Sequence, residues 1–143
     1  MTRKHRFWLD RYFWLAAVAA PLCWLLLTQL DVPLRQTALP LMTLLQIVIV
    51  SPVLEEIVFR GGLQAWLLTR ISMRHTWLQI SLANVLASSV FAAMHLLNQP
   101  PLWAALVILP SLVFGWAWER HQTLLSPIAL HILYNAGFIW LFG

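Results

Sequence analysis

The sequence predicts an all-α polytopic membrane bundle of about five transmembrane helices, and three observations predict it. Hydrophobic residues make up 61% of the 143-residue chain, charged residues only 10%, and the mean hydropathy is +0.76. A soluble domain carries roughly 25% charged residues, so this chain lacks the polar material to cover a water-facing surface. Its apolar residues fall in five runs, each near or above the roughly 17 to 25 residues that a helix needs to cross a bilayer. Polar connectors separate the runs, and tryptophans near their ends (Trp8, Trp77, Trp103, Trp118, Trp140) suit the interfacial aromatic belt. The length allows one membrane-embedded domain over residues 1–143.

Thr2 to Arg11 forms a basic head with Arg3, Lys4, Arg6 and Arg11. The run from about Tyr12 to Leu30 is longer than the apolar core of a cleaved signal peptide, so a retained first helix is expected, with Pro21 as a kink. The single cysteine, Cys23, rules out an internal disulfide. Asp31 to Thr37 is a polar connector.

The second run, about Ala38 to Leu68, is too long to cross upright. Some thirty residues at 1.5 Å each give about 45 Å, against a hydrocarbon core of about 30 Å. It must tilt, protrude or break. Pro52 removes a backbone donor one turn before Glu55 and Glu56, which makes it the expected kink or break. Gly61-Gly62 is a second soft spot that also permits close helix approach.

Thr69 to Thr76 is a basic connector with Arg70, Arg74 and His75, and the third run extends from about Trp77 to Leu97. Asn98-Gln99-Pro100-Pro101 reads as a turn, about Leu102 to Trp118 as the fourth run, and Glu119-Arg120-His121-Gln122 as a connector before the last run, about Leu124 to Phe142. With the N-terminus inside, the cytoplasmic segments hold Arg3, Lys4, Arg6, Arg11, Arg70, Arg74 and Arg120, and only Arg35 lies outside. The positive-inside rule therefore predicts a cytoplasmic N-terminus and an outside C-terminus. The net charge of +4 reflects this topology rather than affinity for nucleic acid.

Few polar residues interrupt the runs, and an ionisable residue at membrane depth is a functional-site hypothesis by default. Glu56 and Arg60 are four apart and share a helix face, so Arg60 is expected to neutralise Glu56. Glu55 points about 100° away and is left to exchange protons. A Glu–Arg helix staple accounts for Glu56 and Arg60 but leaves Glu55 unexplained. If the second and third runs form a hairpin turning near His75, Glu55 and His95 stand on equal arms and face each other at one height. A carboxylate and an imidazole so placed can deprotonate a shared water. His131 and Asn135 also share a face, and two donors aimed at one point stabilise an oxyanion, although packing hydrogen bonds between helices are the ordinary alternative. A zinc site is disfavoured because no His-Glu-x-x-His occurs. Ser51, Ser88 and Ser89 read as helix glue, and His5, His75 and His121 as solvated residues. His131 lies about ten residues from the turn near His121, half the arm of Glu55, so a single site requires the hairpin to protrude or its helices to break.

Glu55-Glu56-x-x-x-Arg60, Phe91-x-x-x-His95 and His131-x-x-x-Asn135, in that order on three apolar helices, resemble the CAAX-protease and bacteriocin-processing (Abi) family of intramembrane glutamic endopeptidases. The resemblance covers about Ser51 to Asn135 and implies that residues 38–143 form a catalytic core, preceded by a head, first helix and connector over 1–37. It implies that Glu55 and His95 activate water, that His131 and Asn135 bind the oxyanion, and that Glu56 and Arg60 support them. No cofactor and no required metal are expected. The implied substrate is a membrane-associated peptide or protein: a bacteriocin leader, a C-terminal sorting tail or a lipidated C-terminus. A bacterial inner membrane suits the composition. The alternative is a non-catalytic immunity or peptide-binding protein that keeps the same polar cluster.

Overall fold

The computed structural model describes residues 6–29 and 39–142. Arg3, Lys4 and His5 of the basic head, the connector Asp31 to Thr37 and the terminal Gly143 lie outside the described residues. Among the described residues five longer helices follow in chain order: α1 (Arg11–Gln29), α2 (Leu41–Leu67), α3 (Leu82–His95), α4 (Pro101–His121) and α5 (Leu125–Phe142). Four of them are long and apolar enough to cross a membrane; α3, with 14 residues, is apolar but shorter.

The polarity is arranged as a bilayer demands. Leu15, Leu22, Leu26, Leu41, Met42, Val58, Leu109 and Leu133 are exposed, whereas Glu56, Arg60, Gln64, Asn84 and Ser111 are fully buried. Lipid covers the first set without cost, while the second finds its hydrogen-bond partners only inside the bundle. α1 packs along α5, where Phe13 and Ala17 join Phe114, Ala117 and Leu130 in one apolar cluster and Tyr134 Oη donates to Ala16 O at 2.7 Å.

α2 is irregular where the sequence predicts it, but it does not break at Pro52. Two π-helical stretches, Gln46–Val50 and Ile57–Gln64, flank the regular segment Ser51–Glu56, and Pro52 sits in the first turn of that segment. A π turn shifts the backbone pairing by one residue, so the missing donor of Pro52 falls where the ladder is already changing register. The second stretch contains Gly61-Gly62 and carries Arg60 and Gln64.

The third run begins differently from its sequence reading. Thr76–Trp77 (β1) pairs antiparallel with Ile80–Ser81 (β2), and Leu78 and Gln79 at the tip take left-handed backbone conformations with φ of 49° and 66°. α3 starts only at Leu82, because Ser81 caps it by accepting the Asn84 N–H at 2.9 Å. The connector read at Glu119 to Gln122 is likewise mostly helical: α4 runs to His121 and ends on Gln122, which adopts φ 54°. His121 is buried rather than solvated. Its Nδ1 lies 2.7 Å from Ser126 Oγ and its Nε2 3.1 Å from Asp10 Oδ2, with Phe7, Phe13 and Trp116 around the ring. Asp10, which also pairs with Arg120, thereby ties the start of α1 to the end of α4. His75 is exposed, as expected.

Candidate active site

Residues four apart on α2 line up a polar stripe of Glu56, Arg60 and Gln64, each fully buried. Arg60 Nε donates to Glu56 Oε2 at 3.0 Å, as the i, i+4 spacing predicts. Arg60 Nη1 donates to Gln64 Oε1 at 3.3 Å, and Nη2 reaches across to Ser111 Oγ on α4 at 2.6 Å. The guanidinium thus spends donors on three acceptors, which keeps a charge in the bundle interior satisfied.

α5 contributes the next partner. His131 Nδ1 lies 2.8 Å from Glu56 Oε1, so Glu56 is held by Arg60 through one oxygen and by His131 through the other. The His131 ring stacks on Phe114 with centroids 4.6 Å apart and meets the edge of Phe91 at 6.0 Å. This aromatic slot fixes the ring plane and turns Nε2 toward Glu55 Oε2, 3.6 Å away. Glu55 and Glu56 are therefore unlike. The Glu56 side chain is 0% exposed and doubly bonded, whereas that of Glu55 is 31% exposed and faces the far nitrogen of His131. Only Glu55 can meet a water molecule.

His95 stands at the end of α3 with its ring 4.6 Å from that of Phe91. Its Nδ1 is 2.9 Å from Phe91 O, and a carbonyl can only accept, so Nδ1 carries the proton and Nε2 is left free to accept one. No direct bond joins His95 to Glu55 among the described residues; His95 adjoins the cluster through Phe91, whose ring lies 4.6 Å from that of His95 and 6.0 Å from that of His131. The α2–α3 hairpin that brings them together is closed by Phe59 against Phe91, centroids 5.0 Å apart, with the Arg60 guanidinium 5.8 Å from the Phe91 ring.

Asn135 sits apart from this group. Its Nδ2 donates to Ile47 O, in the first π stretch of α2, at 3.0 Å. The structure therefore brings Glu55, Glu56, Arg60 and His131 into direct contact, sets His95 beside them, and leaves Asn135 engaged on the backbone of α2.

Sequence reasoning missed the polar residues that surround Arg60. Gln64 Nε2 donates to Glu119 Oε1 at 2.6 Å and to Gly115 O at 3.2 Å. Ser81 Oγ donates to the same Glu119 oxygen at 2.5 Å, and Asn84 Nδ2 donates to Leu112 O at 2.9 Å while its Oδ1 accepts from Ser88 Oγ at 3.1 Å. The signal was available: Gln64 continues the spacing of Glu56 and Arg60, and Ser111, Gly115 and Glu119 repeat it on α4. Gly115 makes the seam possible, since a Cβ there would lie 2.0 Å from Asn84 Oδ1 and 2.8 Å from Gln64 Oε1.

Comparison with known families gives a match. The family described as Rce1-like, type II CAAX prenyl endopeptidase Rce1-like, matches residues 37–137, more than two-thirds of the chain and every residue of the polar cluster. No curated protein and no solved structure matches it.

Proposed function

The chain belongs to the Rce1-like family of type II CAAX endopeptidases, membrane proteases that act on membrane-associated proteins, and we propose that it hydrolyses its substrate with water activated by Glu55 and His95. The observation that carries this reading is the inequality of the two glutamates: Glu56 is sealed between Arg60 and His131, while Glu55 remains 31% exposed at the edge of the cluster. A water between Glu55 and the free Nε2 of His95 gives up a proton to them as its oxygen attacks the carbonyl carbon. The same proton then passes to the amide nitrogen as the C–N bond breaks. The step needs no metal.

His131 binds an oxyanion only with protons on both ring nitrogens, because its Nδ1–H is committed to Glu56. As an imidazolium it donates from Nδ1 to Glu56 and presents Nε2–H beside Glu55, where a tetrahedral oxyanion develops. Asn135 joins it as second donor by leaving Ile47 O. Glu56 and Arg60 hold His131 rather than touch the substrate.

The substrate is a membrane-associated peptide or protein with a lipidated C-terminus, a sorting tail or a leader. The positive-inside bias favours a cytoplasmic N-terminus and an outside C-terminus, and the composition suits a bacterial inner membrane. The test is Glu55→Gln, which keeps shape but removes the base. Turnover of a fluorogenic farnesylated CAAX peptide in proteoliposomes falls by about two orders of magnitude or more while substrate binding persists. Undiminished turnover in Glu55→Gln rejects the mechanism.

A further inference from the structure

We infer that Gln64 and Glu119 are positioning residues for the Glu56–Arg60 pair, linked to it by an unbroken chain of side-chain hydrogen bonds that starts at Ser81. The inference rests on the peptidase reading above and assigns the site a supporting framework on α2, α3 and α4.

The polarity of the chain is fixed at every link. Arg60 has only donors, so Gln64 must turn its Oε1 to Nη1, at 3.3 Å, which commits its Nε2 to the opposite side. On that side Nε2 meets Glu119 Oε1 at 2.6 Å and Gly115 O at 3.2 Å, both acceptors. Ser81 Oγ donates to the same carboxylate oxygen at 2.5 Å and accepts the Asn84 N–H at 2.9 Å, so one hydroxyl both caps α3 and holds Glu119. The start of α3, the end of α2 and the end of α4 are thereby knotted around Gln64, which is fully buried. A displaced Gln64 releases Nη1, and the guanidinium then pivots about its remaining bonds to Ser111 and Glu56. Glu56 in turn carries His131 at 2.8 Å, so the disturbance arrives at the imidazole.

The chain is not a proton wire. A guanidinium does not deprotonate in proteins and an amide does not relay protons, so what passes along it is position alone. The outer end opens on a cavity of about 420 Å³ lined by Thr76, Gln79, Trp116, Glu119 and Arg120, which lets water reach the Glu119 carboxylate. Position 119 therefore needs an acceptor rather than a charge. Glutamine supplies one and leucine does not.

The experiment compares Glu119→Leu, Gln64→Leu, Glu119→Gln and the lipid-facing control Ser89→Ala in the full chain in proteoliposomes. It reads hydrolysis of the farnesylated CAAX peptide and, separately, the 15N resonances of the His131 ring. Glu119→Leu and Gln64→Leu lower kcat by about ten- to a hundredfold, the range of a slightly misplaced catalytic group, with KM within about twofold. Glu119→Gln and Ser89→Ala keep most of the wild-type kcat. The His131 resonances move in the two leucine variants and stay in place in the other two. Should Glu119→Leu fail to fold, Ser81→Ala removes one of the two donors to Glu119 and carries the same expectation at smaller amplitude. Wild-type kcat in both leucine variants overturns the inference, as does a Glu119→Gln loss equal to that of Glu119→Leu. A wild-type chain that does not cleave the peptide counts against the peptidase reading only; the His131 resonances then decide, and unmoved signals in the leucine variants overturn the positioning role.

Discussion

Glu56 and His131, 75 residues apart in the chain, meet at 2.8 Å through Oε1 and Nδ1, and Arg60 holds the other oxygen of the same carboxylate at 3.0 Å. This contact joins α2 to α5 at the centre of the bundle. It also divides the glutamate pair, because the carboxylate committed to two partners cannot serve as the exchangeable base.

The two glutamates should therefore fail differently on substitution. Glu55→Gln lowers turnover by about a hundredfold or more with an unfolding midpoint close to wild type. Glu56→Gln lowers both, since Arg60 is left as an uncompensated buried charge at a cost of about 3 kcal/mol. Peptide cleavage and denaturant unfolding in micelles, measured on both variants, check the division. Equal behaviour of the two would remove it.

Gly115 and Gly62 give a packing test free of chemistry. Gly115→Ala places a Cβ 2.0 Å from Asn84 Oδ1 and 2.5 Å from its Cγ, in a seam with no room to yield. Overpacking of this kind costs about 1 to 3 kcal/mol. At Gly62 the nearest atom to an added Cβ is Ile57 O at 3.8 Å, so Gly62→Ala is neutral or stabilises by about 0.5 to 1 kcal/mol through the better helix propensity of alanine. Thermal unfolding of the two variants should shift in opposite directions or in one only.

Asp10 supplies a pH test outside the membrane-spanning segments. Its hydrogen bond with Arg120, helped by the Tyr12 N–H and His121, outweighs partial burial and lowers its pKa from 3.8 to about 2. A depressed carboxyl contributes stability that is fully present above its ordinary value and is lost as pH falls through the folded one. Asp10→Asn should thus cost about 1 kcal/mol or less, the range of a partly exposed ion pair, and the deficit should be constant from pH 5 to 8. It should shrink between pH 4 and about 2, as wild-type Asp10 itself becomes neutral. A deficit that grows on acidification contradicts the assignment.

Water activation by Glu55 and His95 predicts indifference to chelators. Turnover in EDTA or phenanthroline should equal that of the untreated chain. A loss restored by added zinc would replace the proposed mechanism with a metal-dependent one.

The hairpin arithmetic shows how far spacing alone reaches. Phe59 and Phe91 stand at equal distances from His75 and their rings meet at 5.0 Å, so the equal-arm relation proposed for Glu55 and His95 holds for the helices that carry them. Gln64 and Ser81 both bond to Glu119 near the end of α4, so the connector between α2 and α3 lies beside that end, with Thr76 and Gln79 lining a cavity with Trp116 and Arg120. α2 stays one continuous helix through both π stretches.

The sequence by itself determined the membrane class, the sites of helix irregularity and the Glu56–Arg60 pair, because hydropathy, proline chemistry and i, i+4 spacing are local properties of the chain. It also carried the residues of the family motif in order. Only the tertiary structure decided that His131 bonds to Glu56, that Asn135 rests on Ile47 O, and that the half-buried Glu119 closes the polar seam at the end of α4. These contacts link helices far apart in sequence, and in an apolar bundle each polar side chain takes whichever partner the packing brings within reach. Spacing along one helix fixes which face a residue occupies, and the packing of the neighbouring helices fixes what that face meets.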